Sequence, residues 1–127
     1  MGRSDLMNDL ETLVAGDSRY KLESYIFVIN AVEFTMRSLR RRGHVSGHEL
    51  LDGIKGLAKR EFGPMAKTVF ESWGVATTAD FGEIVFRLIG AGILGKTEKD
   101  SREDFSDVFD FNDVFEKQYD WNIEGAL

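Results

Sequence analysis

Residues 20–42 read YKLESYIFVINAVEFTMRSLRRR, and this stretch decides the fold class of the chain. Apolar side chains recur every three or four positions along it, which is the spacing of one face of an α-helix. That stripe consists of Leu22, Ile26, Ile29, Val32, Met36 and Leu39. Residues 25–29 alone have the propensity of a strand, but the stripe continues on both sides of them. We therefore predict a long helix, apolar on several sides and central to the fold.

The segments around this helix also have helical periodicity. We predict further helices over residues 4–16, 47–62 and 65–73, and from about 78 to 91. Ser46 and Glu49 have the spacing of a capping box, in which the serine caps a helix and the glutamate bonds back to it. Gly53 and Gly56 interrupt the helix that follows, and they predict close packing against a neighbouring helix.

After residues 90–92, GAG, the pattern changes. Two short apolar pieces, 93–94 and 105–109, flank a charged loop, so we predict a β-hairpin over about residues 93–109. An acidic, aromatic tail, residues 110–127, follows it. The expected fold is a single domain over residues 1–127, mainly α with a small β-hairpin.

The order of these elements resembles a winged helix-turn-helix domain with an extra helix inserted at about residues 64–73. The resemblance rests on residues 86–94, FRLIGAGIL, because winged domains run from a helix ending in leucine and glycine into the first wing strand.

The whole chain also resembles a family of small bacterial proteins of the planctomycete and verrucomicrobial type, to which no activity is assigned. The resemblance is carried by residues 44–47 (HVSG), 62–66 (FGPMA), 80–86 (DFGEIVF) and 96–105. It implies a bacterial protein of one domain and implies no particular function.

The amino-acid composition excludes several kinds of functional site. The chain of 127 residues has no cysteine, which excludes disulfides, thiolate metal sites and a cysteine nucleophile. It has no apolar run of the roughly 18 residues that a membrane span needs, and its start lacks the pattern of a signal peptide. We predict a cytoplasmic protein. The net charge of −6 is uneven: residues 1–60 carry 10 basic and 8 acidic side chains, and residues 61–127 carry 6 and 14.

Residues 90–97, GAGILGKT, match the phosphate-binding pattern G-x-x-x-x-G-K-[ST]. That loop needs a buried strand before it, for which residues 84–89 are the candidate, and an amphipathic helix after it. Residues 98–104 contain no apolar side chain, and four of the seven are acidic. We interpret the match as a coincidence.

No catalytic residue, metal ligand or cofactor is predicted. His44 and His48 have the i, i+4 spacing of a metal pair on a helix, but the capping box places His44 before the helix. The acidic residues lack an EF-hand pattern and are interpreted as a solvated surface. They are Asp100, Glu103, Asp104, Asp107, Asp110 and Asp113.

Two sets of residues remain as candidate contact surfaces. One is aromatic, and it either covers the core or binds a partner: Phe105, Phe109, Phe111, Phe115, Tyr119 and Trp121. The other is basic, and it either complements the dipole of the long helix or contacts nucleic acid: Arg37, Arg40, Arg41 and Arg42.

The helix and wing that would contact DNA in a winged helix-turn-helix domain are acidic in this chain. We therefore predict a non-catalytic domain that binds a protein through its acidic wing or aromatic tail. A DNA-binding transcriptional regulator is the alternative, and a nucleotide-binding protein is less favoured. The partner's identity and self-association are left open.

Overall fold

The computed structural model describes residues 3–95 and 102–117. Within them the α-helices are α1 (Arg3–Gly16), α2 (Leu22–Leu39), α3 (Gly47–Phe62), α4 (Ala66–Ser72) and α5 (Thr78–Gly90). Two 3-10 turns, Gly63–Met65 and Arg102–Phe105, and a short π-helical segment, Asn112–Lys117, complete the described elements. The predicted helices are confirmed, although the central one spans Leu22–Leu39, the bounds of the apolar stripe, and does not extend over residues 20–42.

α2 is the central helix, because it buries side chains on several of its faces. α3 packs antiparallel to it. At one end Arg41, just beyond α2, pairs with Glu49 in the first turn of α3. At the other end the ring of Phe27 lies 5.7 Å from the ring of Phe62. The buried residues of α2 are Ser24, Tyr25, Phe27, Val28, Ala31 and Thr35.

Aromatic rings fill the core where α2, α4 and α5 meet the segment 102–117. Phe70 of α4 is at the centre of this cluster and has no exposed surface. Its ring lies 5.4 Å from Phe27 and 5.0 Å from Phe81, both on helices, and 5.5 Å from both Phe111 and Phe115. Tilted and edge-to-face pairs at these separations are the arrangements that aromatic rings prefer.

The β-hairpin predicted over residues 93–109 is wrong. Residues 3–95 and 102–117 contain no strand, and the 105–109 piece lies in a turn against α5 instead. The Thr78 hydroxyl donates to the carbonyl oxygen of Phe105 at 2.6 Å and accepts the backbone N–H of Val108 at 3.1 Å. Because one threonine side chain serves these backbone groups, they need no partner strand.

The backbone of residues 93–94, in the first half of the predicted hairpin, forms hydrogen bonds with α5 and not with a strand. The backbone N–H groups of Ile93 and Leu94 both donate to the carbonyl oxygen of Leu88, at 2.9 and 3.3 Å. These bonds close the C-terminus of α5, as a helix cap does. The winged-helix resemblance therefore loses the wing on which it depended, and the described chain is helical.

A buried carboxylate joins the loop before α2 to the start of α5. One oxygen of Asp80 accepts the Tyr20 hydroxyl at 2.5 Å and the Arg19 guanidinium at 3.1 Å. The other oxygen accepts the backbone N–H groups of Ala76 and Thr77, at 2.8 and 3.1 Å. Asp80 thus completes the capping box of α5 and holds the end of the α1–α2 loop against it.

Across the described part of the chain, every helix falls short of the length and apolar character that crossing a bilayer requires.

Candidate interaction surface at the arginine end of α2

The last turn of α2 and the residues after it carry Arg37, Arg40, Arg41 and Arg42, which we call the arginine end. The helix stops here because Arg40 turns into the left-handed conformation, with φ 55° and ψ 41°. The N–H of Arg40 then donates to the carbonyl oxygen of Arg37, and that of Arg41 to Met36, both at 3.1 Å. This pair of bonds is the Schellman arrangement, which satisfies carbonyl groups at a helix end.

Arg41 has a structural role within this group. Its guanidinium donates to the Glu49 carboxylate and, at 3.3 Å, to the carbonyl oxygen of His44. Glu49 also accepts the N–H of Ser46, so the predicted capping box is confirmed. The Ser46 N–H first, and then Arg41, hold the pKa of Glu49 below its usual value against the opposing effect of burial. Arg41 therefore ties the end of α2 to the start of α3.

The other three arginines extend into solvent. Arg37 has a carboxylate neighbour one turn earlier, Glu33, at 3.5 Å, and both side chains are well exposed. Exposed pairs of this kind contribute little, about 0.3–0.5 kcal/mol. Arg40 and Arg42 have no carboxylate partner within residues 3–95 and 102–117.

Apolar surface accompanies these charges. The arginines, with Glu33 and Met36, border an open groove of about 370 Å³. Leu39, on the last turn of α2, is 39% exposed and is one of the most exposed large apolar residues of the described chain. Met36 and Leu39 belong to the apolar stripe that the helical periodicity predicts, and nothing in that pattern indicates that the end of the stripe is exposed. Guanidinium groups beside apolar surface suit a ligand that is anionic and partly apolar.

The aromatic candidates lie mostly in the core. Phe105, Phe111 and Phe115 are buried, and Phe109 is partly buried against them. These four residues therefore cover the core, and among them only Phe109 retains partial exposure. Tyr119 and Trp121 lie outside the described residues.

The residues around the match to the phosphate-binding pattern do not have the strand and loop structure that this motif requires. Residues 84–89, where that motif needs a strand, form the end of α5. The N–H groups of residues 91–94, which a phosphate-binding loop would direct at its ligand, donate to carbonyl groups of α5 instead. Lys96 and Thr97 lie outside the described residues.

The histidine and acidic candidates do not form a metal centre in the described chain. His44 precedes α3 and His48 lies in its first turn, as the capping box predicted. Asp110 caps the following segment, because its side chain accepts the N–H groups of Asn112 and Asp113 at 2.8 and 3.2 Å. No group of three or more potential ligands occurs in residues 3–95 and 102–117.

The chain has no significant match among protein-family models, curated proteins or solved structures. A function can therefore be inferred only from the chain's own surface, of which the arginine end is the most distinctive part.

Proposed function

We propose that this chain is a non-catalytic interaction domain and that the arginine end of α2 binds an acidic segment of a partner protein. The observation that carries the proposal is the exposure of Arg40 and Arg42, which have no carboxylate partner in the described chain and which border a groove together with Met36. The net charge of the chain is −6, so this basic surface stands out against an acidic protein. The lack of cysteine and the bacterial resemblance support a cytoplasmic setting.

An acidic protein segment fits this surface better than nucleic acid does. Affinity for duplex DNA comes largely from the neutralisation of several phosphates, for example about 6–10 of them. The arginine end offers Arg37, Arg40 and Arg42, because Arg41 is engaged by Glu49. A short acidic segment with an apolar side chain contacts only the basic end and adjoining Leu39.

The proposal is tested by anisotropy of fluorescein-labelled poly-L-glutamate, titrated with the purified chain at about 50 mM salt. The variant Arg37→Ala, Arg40→Ala, Arg42→Ala is expected to bind at least about a hundredfold more weakly, since it loses three contacts of on the order of 1–2 kcal/mol each and every 1.4 kcal/mol is tenfold in affinity. The matched control is Lys21→Ala, Lys59→Ala, Arg60→Ala, which removes equal charge where α2 begins and α3 ends.

The control variant is expected to bind poly-L-glutamate like the wild-type chain. Equal weakening by both triple variants would mean that only overall charge matters, and it would overturn the proposal. A labelled 20-base-pair duplex that binds more tightly than poly-L-glutamate, and loses that binding in the arginine variant, would favour the DNA-binding alternative instead.

A further inference from the structure

In the described part of the chain, three helices end with the same backbone hydrogen bonds. At the ends of α2, α4 and α5, one N–H donates three residues back and the next N–H donates five residues back. The residue at the centre of each arrangement has a positive φ, at Arg40 (55°), Gly74 (91°) and Gly92 (78°). Glycine is the usual residue there, because a Cβ in the left-handed conformation approaches the following carbonyl oxygen. At α2 the chain has arginine where the other two helices have glycine.

In the described part of the chain, no contact of the Arg40 side chain offsets the strain of its left-handed backbone. Within residues 3–95 and 102–117 its guanidinium has no hydrogen bond, ion pair or ring contact, whereas its neighbour Arg41 bonds Glu49 and His44. The chain therefore retains a strained residue whose side chain is exposed and borders the groove of the arginine end. Backbone strain of this kind is found more often at functional sites than elsewhere, which makes Arg40 a candidate contact residue.

We infer that Arg40 is the anchor of the arginine end and that its guanidinium binds a carboxylate of the partner segment. The inference rests on the proposed function and assigns its central contact. The planar guanidinium can hold a carboxylate through two parallel hydrogen bonds, which gives the contact direction as well as charge. Arg37 and Arg42 surround this contact and add attraction without fixing its geometry.

The inference predicts that one substitution improves the fold and impairs binding. Arg40→Gly is expected to raise the melting temperature by about 1–3 °C, because glycine relieves the left-handed strain. It is also expected to weaken the binding of labelled poly-L-glutamate about tenfold. Arg40→Ala removes the same guanidinium but keeps a Cβ in the strained conformation, so it should weaken binding equally without raising the melting temperature.

The chain provides a matched control for this test. Asp107 is the only other non-glycine residue of the described chain with a positive φ, 49°, and it lies in the turn after Phe105. Asp107→Gly is expected to change the melting temperature in the same direction as Arg40→Gly and not to weaken the binding of poly-L-glutamate.

The outcomes separate this inference from the proposed function. If Arg40→Gly keeps wild-type binding while the triple arginine variant loses it, Arg40 is not the anchor, and the arginine end still binds an acidic segment. If neither variant changes binding, both ideas fail. A melting temperature lowered by Arg40→Gly would show that the side chain stabilises the fold, which also overturns the inference.

Discussion

At the scale of single residues, Asp80 has the most constrained polar environment in the described chain. Its two oxygens accept from five donors: two side chains of the loop before α2, two backbone N–H groups before α5 and, at 3.5 Å, the Thr77 hydroxyl. Burial by itself raises the pKa of Asp80, but the Tyr20 hydroxyl, the backbone donors and Arg19 together hold it below the ordinary value of 3.8. Burial and the same bond to Asp80 raise the pKa of Tyr20, which keeps the hydroxyl protonated as a donor.

Asp80→Asn is expected to lower the free energy of unfolding by about 1.5–3 kcal/mol at neutral pH, as the loss of hydrogen bonds to a charged group does. An asparagine has one acceptor oxygen, so its NH₂ group must face either Tyr20 and Arg19 or the N–H groups of Ala76 and Thr77. Urea unfolding followed by circular dichroism measures the difference.

The difference in the free energy of unfolding between wild type and Asp80→Asn should decrease as the pH falls. The pKa of Asp80 is lower in the folded chain than its ordinary value of 3.8. Stability from the carboxylate is therefore fully present above about pH 5 and is lost as the pH falls through the folded pKa. Unfolding curves of both proteins should converge in acid. A difference that stays constant down to about pH 2 would contradict this role of the carboxylate.

At the scale of elements, Gly53 and Gly56 of α3 differ in whether a side chain would fit. Gly53 is buried against Thr35 of α2, whose hydroxyl is fixed by a 2.7 Å bond to the carbonyl oxygen of Ala31. A Cβ at Gly53 would overlap that hydroxyl oxygen. A Cβ at Gly56 would lie 3.5 Å from the Phe34 ring, which is an ordinary contact. The predicted close helix packing is thus present at Gly53 and not at Gly56.

Alanine substitution at these two positions should have opposite effects. Gly56→Ala is expected to stabilise the fold by about 0.5–1 kcal/mol, because alanine is the better helix former and its methyl group fits. Gly53→Ala should destabilise it by about 1–3 kcal/mol, because the methyl group forces α2 and α3 apart. Thermal melts of the two variants compare them directly, and stabilisation by Gly53→Ala would contradict the packing described for α2 and α3.

At the scale of the whole molecule, residues 102–117 close the core. Phe105 packs on the backbone of α5, where a Cβ at Gly82 would lie 2.7 Å from the Cβ of Phe105. Phe111 and Phe115 pack on Phe70 of α4. The segment predicted to be a wing and the first part of a separate tail therefore belong to the folded core.

This arrangement predicts a large difference between two substitutions in one segment. Phe115 has no exposed surface, so Phe115→Ala should cost about 3–5 kcal/mol through lost burial and the cavity that remains. Val108 is 38% exposed, and Val108→Ala should change stability by less than about 0.5 kcal/mol. Chemical unfolding measures both. A small effect of Phe115→Ala would mean that the segment does not close the core.

The helices, the capping box of Ser46 and Glu49 and the ends of α4 and α5 at glycine were determined by the sequence itself. They depend on residues within one or two turns of each other, so periodicity and capping rules are sufficient to find them. The path of residues 93–95 and 102–109 was decided by tertiary structure. Aromatic residues there favour a strand locally, but Thr78 and Leu88 bind the backbone groups that a strand would have paired. The exposure of Leu39 and the left-handed conformation of Arg40 also depend on where the neighbouring elements end, and no local pattern encodes that.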